Sequence, residues 1–89
     1  MREPPDTLVI AAIAAEIKSR RSHLKISQEE LAHRASVHRS FIARLEVAST
    51  QPSTAALFRL AKALEVDVEA LVAGIAKRYK RATRHPAKS

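Results

Sequence analysis

SQEELAHRASVHRSFIARLE, residues 27–46, carries the pattern from which the architecture follows. Ser27 followed three residues later by Glu30 has the spacing of a capping box, so a helix starts at Gln28. Leu31, Ala32 and Ala35 give that helix one apolar face. The break falls near Ser36 and Val37. A second helix follows, with Ile42 and Leu45 spaced to face inward and Val37 at the corner between the two. At about 100° per residue, Ser40, Ala43, Arg44 and Val47 then point away from the buried side, and Arg39 lies in the exposed first turn.

Two short helices joined by a tight turn, with polar side chains on the outer face of the second, form a helix-turn-helix. The second helix of such a unit can enter a DNA major groove. Docking of this kind pushes the start of that helix deepest, which places Arg39 at base edges. Arg44 lies just over a turn further on, on the outward stripe with Ser40. An arginine can bind guanine O6 and N7 through two hydrogen bonds. Ser40 can make one ambiguous contact, and Ala43 can touch a thymine methyl. His38, just ahead of Arg39, is expected at the DNA backbone.

These residues resemble the helix-turn-helix of the phage repressor and Cro family, the XRE family. The resemblance extends upstream through Ile13-Ala-Ala-Glu-Ile-Lys-Ser-Arg-Arg and downstream through Pro52-Ser-Thr and Leu57-Phe-Arg-Leu-Ala-Lys-Ala-Leu64-Glu-Val66, covering about residues 13–73. It implies an all-α, compact five-helix, lambda-repressor-like domain with the motif at helices 2 and 3, and a one-domain layout similar to Cro. It further implies an ion pair between Arg21 and Glu46, and DNA-backbone contacts from Gln28 and from the loop residues Ser49, Thr50 and Gln51. The chain departs from the family at Lys25, Ser36, Ala48 and Glu65, where relatives usually carry glycine. Such glycines commonly sit at positive φ, so either the turns differ here or the chain tolerates the strain.

Eighty-nine residues suit one small domain, which buries only ~60% of its unfolded surface. With no cysteine, disulfides and thiolate metal sites are excluded. The absence of any alternating strand-like run makes this an all-α composition. The formal charge is +7, unevenly placed. All nine acids lie at or before Glu69, and Lys77, Arg78, Lys80, Arg81, Arg84 and Lys88 follow them. Such a basic segment favours polyanions (DNA, RNA or an acidic membrane surface) or else serves as a solvated solubility tail. With the motif alongside, Lys77, Arg78, Lys80 and Arg81 are expected on the DNA backbone.

Read in order, residues 1–6 are irregular around Pro4-Pro5, residues 7–76 form the helix-turn-helix domain, and residues 77–89 form a basic C-terminal tail, flexible from Ala82 onward. Helix 1 is capped by Asp6 or Thr7 and runs to about Arg21 or Ser22. Its apolar front raises a signal-peptide question, but Glu3, Asp6 and two prolines precede it where a signal needs positive charge, so none is expected. Leu8, Val9, Ile10 and Ala12 are read as internal packing. Ser53 caps helix 4, whose inner stripe is Leu57, Leu60, Ala61 and Leu64, with Phe58 as peripheral core. Asp67 caps helix 5. Gly74 either ends helix 5 or permits close approach of another subunit. Leu71, Val72 and Ile75 are the candidate dimer contacts, because a monomer reads only one half-site.

No catalytic set is present. His23, His33, His38 and His85 lack metal-ligand spacing, there is no glycine-rich phosphate loop, and no nucleophile–base pair can be assembled. The expectation is a non-enzymatic, cofactor-free, cytoplasmic regulator that binds double-stranded DNA sequence-specifically, as a repressor or autoregulator on a two-fold operator, and forms a homodimer. The alternative is a protein-interaction module of the same fold, such as a bridging co-activator or an antitoxin, whose partner is a toxin or the transcription machinery. Exposed basic side chains on helix 3 favour DNA.

Overall fold

A computed structural model describes residues 5–84. Every regular element among them is a helix: α1 (Pro5–Leu24), α2 (Gln28–Ala35), α3 (Arg39–Glu46), α4 (Thr54–Ala63) and α5 (Val68–Arg84). Proline is favoured at the first helical position, where its missing N–H has no intrahelical partner. The helix therefore includes Pro5 and Asp6, expected outside it, and Asp6 complements the first-turn dipole from within. Residues 1–4 of the expected irregular N-terminus lie outside the described residues.

The four positions where the resemblance implies glycine hold the left-handed conformation without it: Lys25 at φ 60°, Ser36 at 58°, Ala48 at 62° and Glu65 at 63°. Each ends a helix in the same double hydrogen bond. Lys25 and Ile26 donate to Ser22 and Arg21, Ser36 and Val37 to His33 and Ala32, Ala48 and Ser49 to Leu45 and Arg44, and Glu65 and Val66 to Lys62 and Ala61. This is the Schellman arrangement, in which the second donor usually carries an apolar side chain that folds back on the helix. Ile26, Val37 and Val66 do so, packing on the core. Ser49, after α3, is the exception. The turns thus keep the left-handed geometry that glycine favours, and the chain bears the strain.

Helix starts are more conventional. Ser27 Oγ accepts from Glu30 N–H at 2.9 Å, and Ser53 Oγ from Ala56 N–H at 3.1 Å. The expected capping box is half made, because the Glu30 carboxylate accepts from Arg34 at 2.9 Å instead of reaching back to Ser27. Ahead of α5 the Asp67 carbonyl accepts from Leu71 N–H. The C-terminal ends of α2 and α4 cap each other: Arg59 donates to Ala35 O at 3.1 Å and Arg34 to Ala63 O at 3.5 Å.

All five helices feed one core. Ile17, Leu31, Ile42, Leu45, Leu60, Leu64 and Leu71 are fully buried, and each such side chain contributes about 1.5–3 kcal/mol on leaving water. Phe58, expected as peripheral core, is 56% exposed. Leu57 and Leu60 face the core from α4, and Phe58, between them, projects outward.

Helix α5 passes Gly74 and continues to Arg84, so the segment expected as a separate tail from Lys77, flexible from Ala82, is helical as far as Arg84. The physical reason lies on α1. The Glu16 carboxylate, buried between the helices, accepts from Arg20 at 2.6 Å and from Arg78 at 2.7 Å. A Cβ on Gly74 would stand 2.1 Å from Glu16 Oε2. Arg20 also donates to Ala70 O at 3.4 Å. These contacts run in opposite order along the two helices, so α5 lies antiparallel to α1, and the chain's one glycine provides the space for the carboxylate.

Candidate nucleic-acid interface

The outward face of α3 is fixed from behind. Ile42 and Leu45 are fully buried, and Glu46 is buried beside them. Arg21 Nε and Nη2 donate to the two Glu46 carboxylate oxygens at 2.6 and 3.0 Å, and Arg21 Nη1 donates to Ile26 O at 2.8 Å. Gln28 Nε2 donates to Glu46 Oε1 at 3.1 Å. One carboxylate therefore joins the end of α1, the start of α2 and the end of α3, with its side chain 2% exposed. Hydrogen bonding to Glu46 holds the Arg21 guanidinium pKa up, against the opposing effect of burial. The sequence reading placed Gln28 against DNA but did not assign it this inward hydrogen bond.

On the other side of α3, Arg39, Ser40 and Arg44 are exposed and Ala43 is half-buried. Among the described residues, no acid forms an ion pair with Arg39 or Arg44. Val47 closes this face at 73% exposure. His38 precedes the helix with extended backbone, and its carbonyl accepts from Phe41 and Ile42 N–H at 3.0 and 3.3 Å; the imidazole makes no cap and is exposed.

The loop after α3 departs from expectation at Ser49. Its N–H and its hydroxyl both donate to Arg44 O, at 3.0 and 3.1 Å. Both donors expected for a phosphate are thus engaged within the chain, and Ser49 holds the turn where an apolar residue does so elsewhere. Thr50 is half-buried and Gln51 exposed, beside the same turn.

Two further groups need correction. Arg78 turns inward to Glu16, whereas Lys77, Lys80 and Arg81 remain exposed on α5. Burial raises the Glu16 pKa, and the hydrogen bonds and charges of Arg78 and Arg20 outweigh it, leaving the carboxyl below its ordinary range. Of the expected dimer contacts, Leu71 and Ile75 are buried in the chain's own core, because the i, i+4 stripe that carries them faces α1. Val72 alone is outward, at 44% exposure. With Phe58, Leu57, Val68 and Ala73 it lines an open apolar recess of about 530 Å³ between α4 and α5. Glu16 and Arg20 were missed by sequence reasoning; the available signal was a lone glycine inside a helical pattern.

The described residues contain no cluster of metal-ligating side chains and no helix long and apolar enough to cross a membrane. No curated protein is significantly similar to the chain. Among solved structures, the clp gene regulator ClgR from Corynebacterium glutamicum superposes with a TM-score of 0.79 at 21% identity, over 86% of this chain and 82% of that one. A point mutant of the Restriction-Modification Controller Protein C.Esp1396I gives 0.73 at 26% identity, over 78% of this chain and 87% of that one. The wild-type controller gives 0.73 at 24% identity, over 79% and 90%. The Helix-turn-helix family HTH_3 matches residues 17–71, more than half of the chain and the whole of the α2–α3 unit with its supports. On that match, and on the fold it shares with these regulators, the chain belongs to the XRE family of helix-turn-helix proteins.

Proposed function

We propose that the protein is a transcriptional repressor or autoregulator that reads a two-fold DNA operator as a homodimer, with α3 in the major groove. The observation that carries this reading is the outer face of α3: Arg39, Ser40 and Arg44 stand exposed without an acidic partner among the described residues, on a helix anchored by a buried carboxylate. Arg39 and Arg44 supply guanine-reading forks, Ser40 a single hydrogen bond and Ala43 a thymine-methyl contact. His38, Thr50 and Gln51, with the free backbone N–H of Gln28 at the start of α2, serve the phosphate backbone, fixing register without reading sequence; the Gln28 side chain is held by Glu46. The absence of acids from the outer face of α3 supports DNA over an acidic-rimmed protein adaptor. Relatives in fold include a restriction–modification controller and a clp gene regulator, which supports regulation of transcription.

The test begins with selection of bound sequences from a random duplex pool. A base-substitution series on the selected operator then compares the protein with Arg39→Ala at one fixed salt concentration. The variant should lose ~1–3 kcal/mol on the operator and relax preference at one position per half-site, with much less effect on random duplex. Equal loss on every sequence assigns Arg39 to the backbone.

A further inference from the structure

We infer that the outer face of α5 is a second duplex-binding surface, which grips the phosphate backbone outside the half-site read by α3. The inference rests on the DNA-binding reading of the chain. Lys77, Lys80, Arg81 and Arg84 recur at i, i+3, i+4 and i+7, so they form one ridge on a continuous helix. All four are exposed, and together they rim a shallow recess of about 360 Å³. None forms an ion pair among the described residues. The nearest buried acid, Glu16, is already held by Arg20 and Arg78 on the opposite, inward side of the helix. Like charges at these spacings repel and weaken a helix. The C-terminal dipole offsets part of that, and a bound polyanion removes the rest.

The ridge is remote from the reading face. Glu46 anchors α3 at Arg21, near the C-terminal end of α1. Arg81 instead lies alongside Leu8, Ala11 and Ala12, near the other end of α1. Ten residues of helix separate Arg21 from Ala11, about 15 Å along the axis at 1.5 Å per residue. The molecule is 41 Å in its longest dimension and 24 Å across. The partner chemistry follows from the side chains. Four mobile cations over about 10 Å of helix suit a row of phosphates. Beside them on α5 stand Ala73, Ala76 and Thr83, so the ridge itself offers cations and small side chains; the exposed Val72 belongs to the recess against α4, with Phe58.

The experiment is the salt dependence of binding to random-sequence duplex, which needs no operator. It compares the full chain, the Lys77→Ala/Lys80→Ala/Arg81→Ala/Arg84→Ala variant and Arg39→Ala, with circular dichroism confirming that each is folded. The fourfold variant should reduce the magnitude of the slope of log K against log salt by up to about 3.6, since each of four phosphate contacts contributes ~0.9. Its preference for the selected operator over random duplex should be unchanged. Lysine-to-arginine exchange at positions 77 and 80 should keep the slope. An unchanged slope in the fourfold variant overturns the inference. So does a loss seen only on phosphatidylglycerol vesicles, which assigns the ridge to a lipid surface, or a loss of operator preference, which merges the ridge with the reading face. Failure of the α3 reading registers separately, as an Arg39→Ala variant that discriminates normally.

Discussion

Ala48 shows how a single residue can oppose its own backbone. It stands at φ 62° in the turn that ends α3, with no polar side chain to ease the left-handed conformation. Its N–H bond to Leu45 O and the neighbouring Ser49 bonds to Arg44 O hold it there. Ala48→Gly should therefore raise the unfolding free energy by about 1 kcal/mol, read as a shifted urea midpoint, despite the greater freedom glycine gives the unfolded chain. Glu46 is the opposite case, a buried charge with every contact satisfied. Removing it leaves Arg21 uncompensated and Gln28 without its acceptor, so Glu46→Ala should lower stability by ~3 kcal/mol in urea unfolding. An unchanged midpoint would mean that the three-helix node holds nothing together.

Pairing of α1 with α5 depends on the fit of Glu16 against Gly74. Alanine in place of a mid-helix glycine ordinarily adds about 1 kcal/mol through helix propensity. Here the new methyl displaces the Glu16 carboxylate from Arg20 and Arg78. Gly74→Ala should bring no gain in the unaltered chain and the full gain in a Glu16→Ala background, which a double-mutant cycle measures as coupling. The same clasp is pH-dependent. Because the folded Glu16 carboxyl titrates below its unfolded value, its stabilisation is present above the usual carboxylate range and is lost as pH falls through the folded pKa. The difference in melting temperature between the protein and Glu16→Gln should therefore shrink on acidification below about pH 4.5. A constant difference down to strong acid would show that the Glu16 charge does not stabilise the fold.

At the scale of the whole molecule, the apolar recess between α4 and α5 shares no lining residue with either basic surface. Phe58 and Val72 supply its exposed rim, the apolar surface left open to the proposed dimer once Leu71 and Ile75 are buried within the chain. Phe58→Lys should leave thermal melting at low protein concentration nearly unchanged and abolish a dimer seen by analytical ultracentrifugation. Leu71→Ala should instead destabilise each subunit by about 2–5 kcal/mol through the cavity it leaves. A Phe58→Lys dimer as tight as that of the parent would move the interface elsewhere. A dimer built on this recess would carry two reading helices and two α5 ridges, enlarging the basic footprint without further contacts within either subunit.

Local sequence determined the helices, their order and the helix-turn-helix. Those features rest on interactions three to four residues apart: the Ser27 and Ser53 caps and the apolar spacing of Leu31, Ala35, Ile42 and Leu45. The outward set on α3 followed from the same periodicity. Tertiary structure decided what periodicity leaves open, namely which side of a broadly apolar helix meets its neighbour. Val68, Leu71, Val72, Ile75 and Tyr79 cover a wide arc of α5, and only the approach of α1 divides Leu71 and Ile75 from Val72. The same approach draws Arg78 out of the basic segment, makes Glu16 a buried partner and carries the helix past Gly74 to Arg84. A helical wheel supplies angles around an axis. The origin of those angles is set by contacts between residues as far apart in sequence as Glu16 and Arg78.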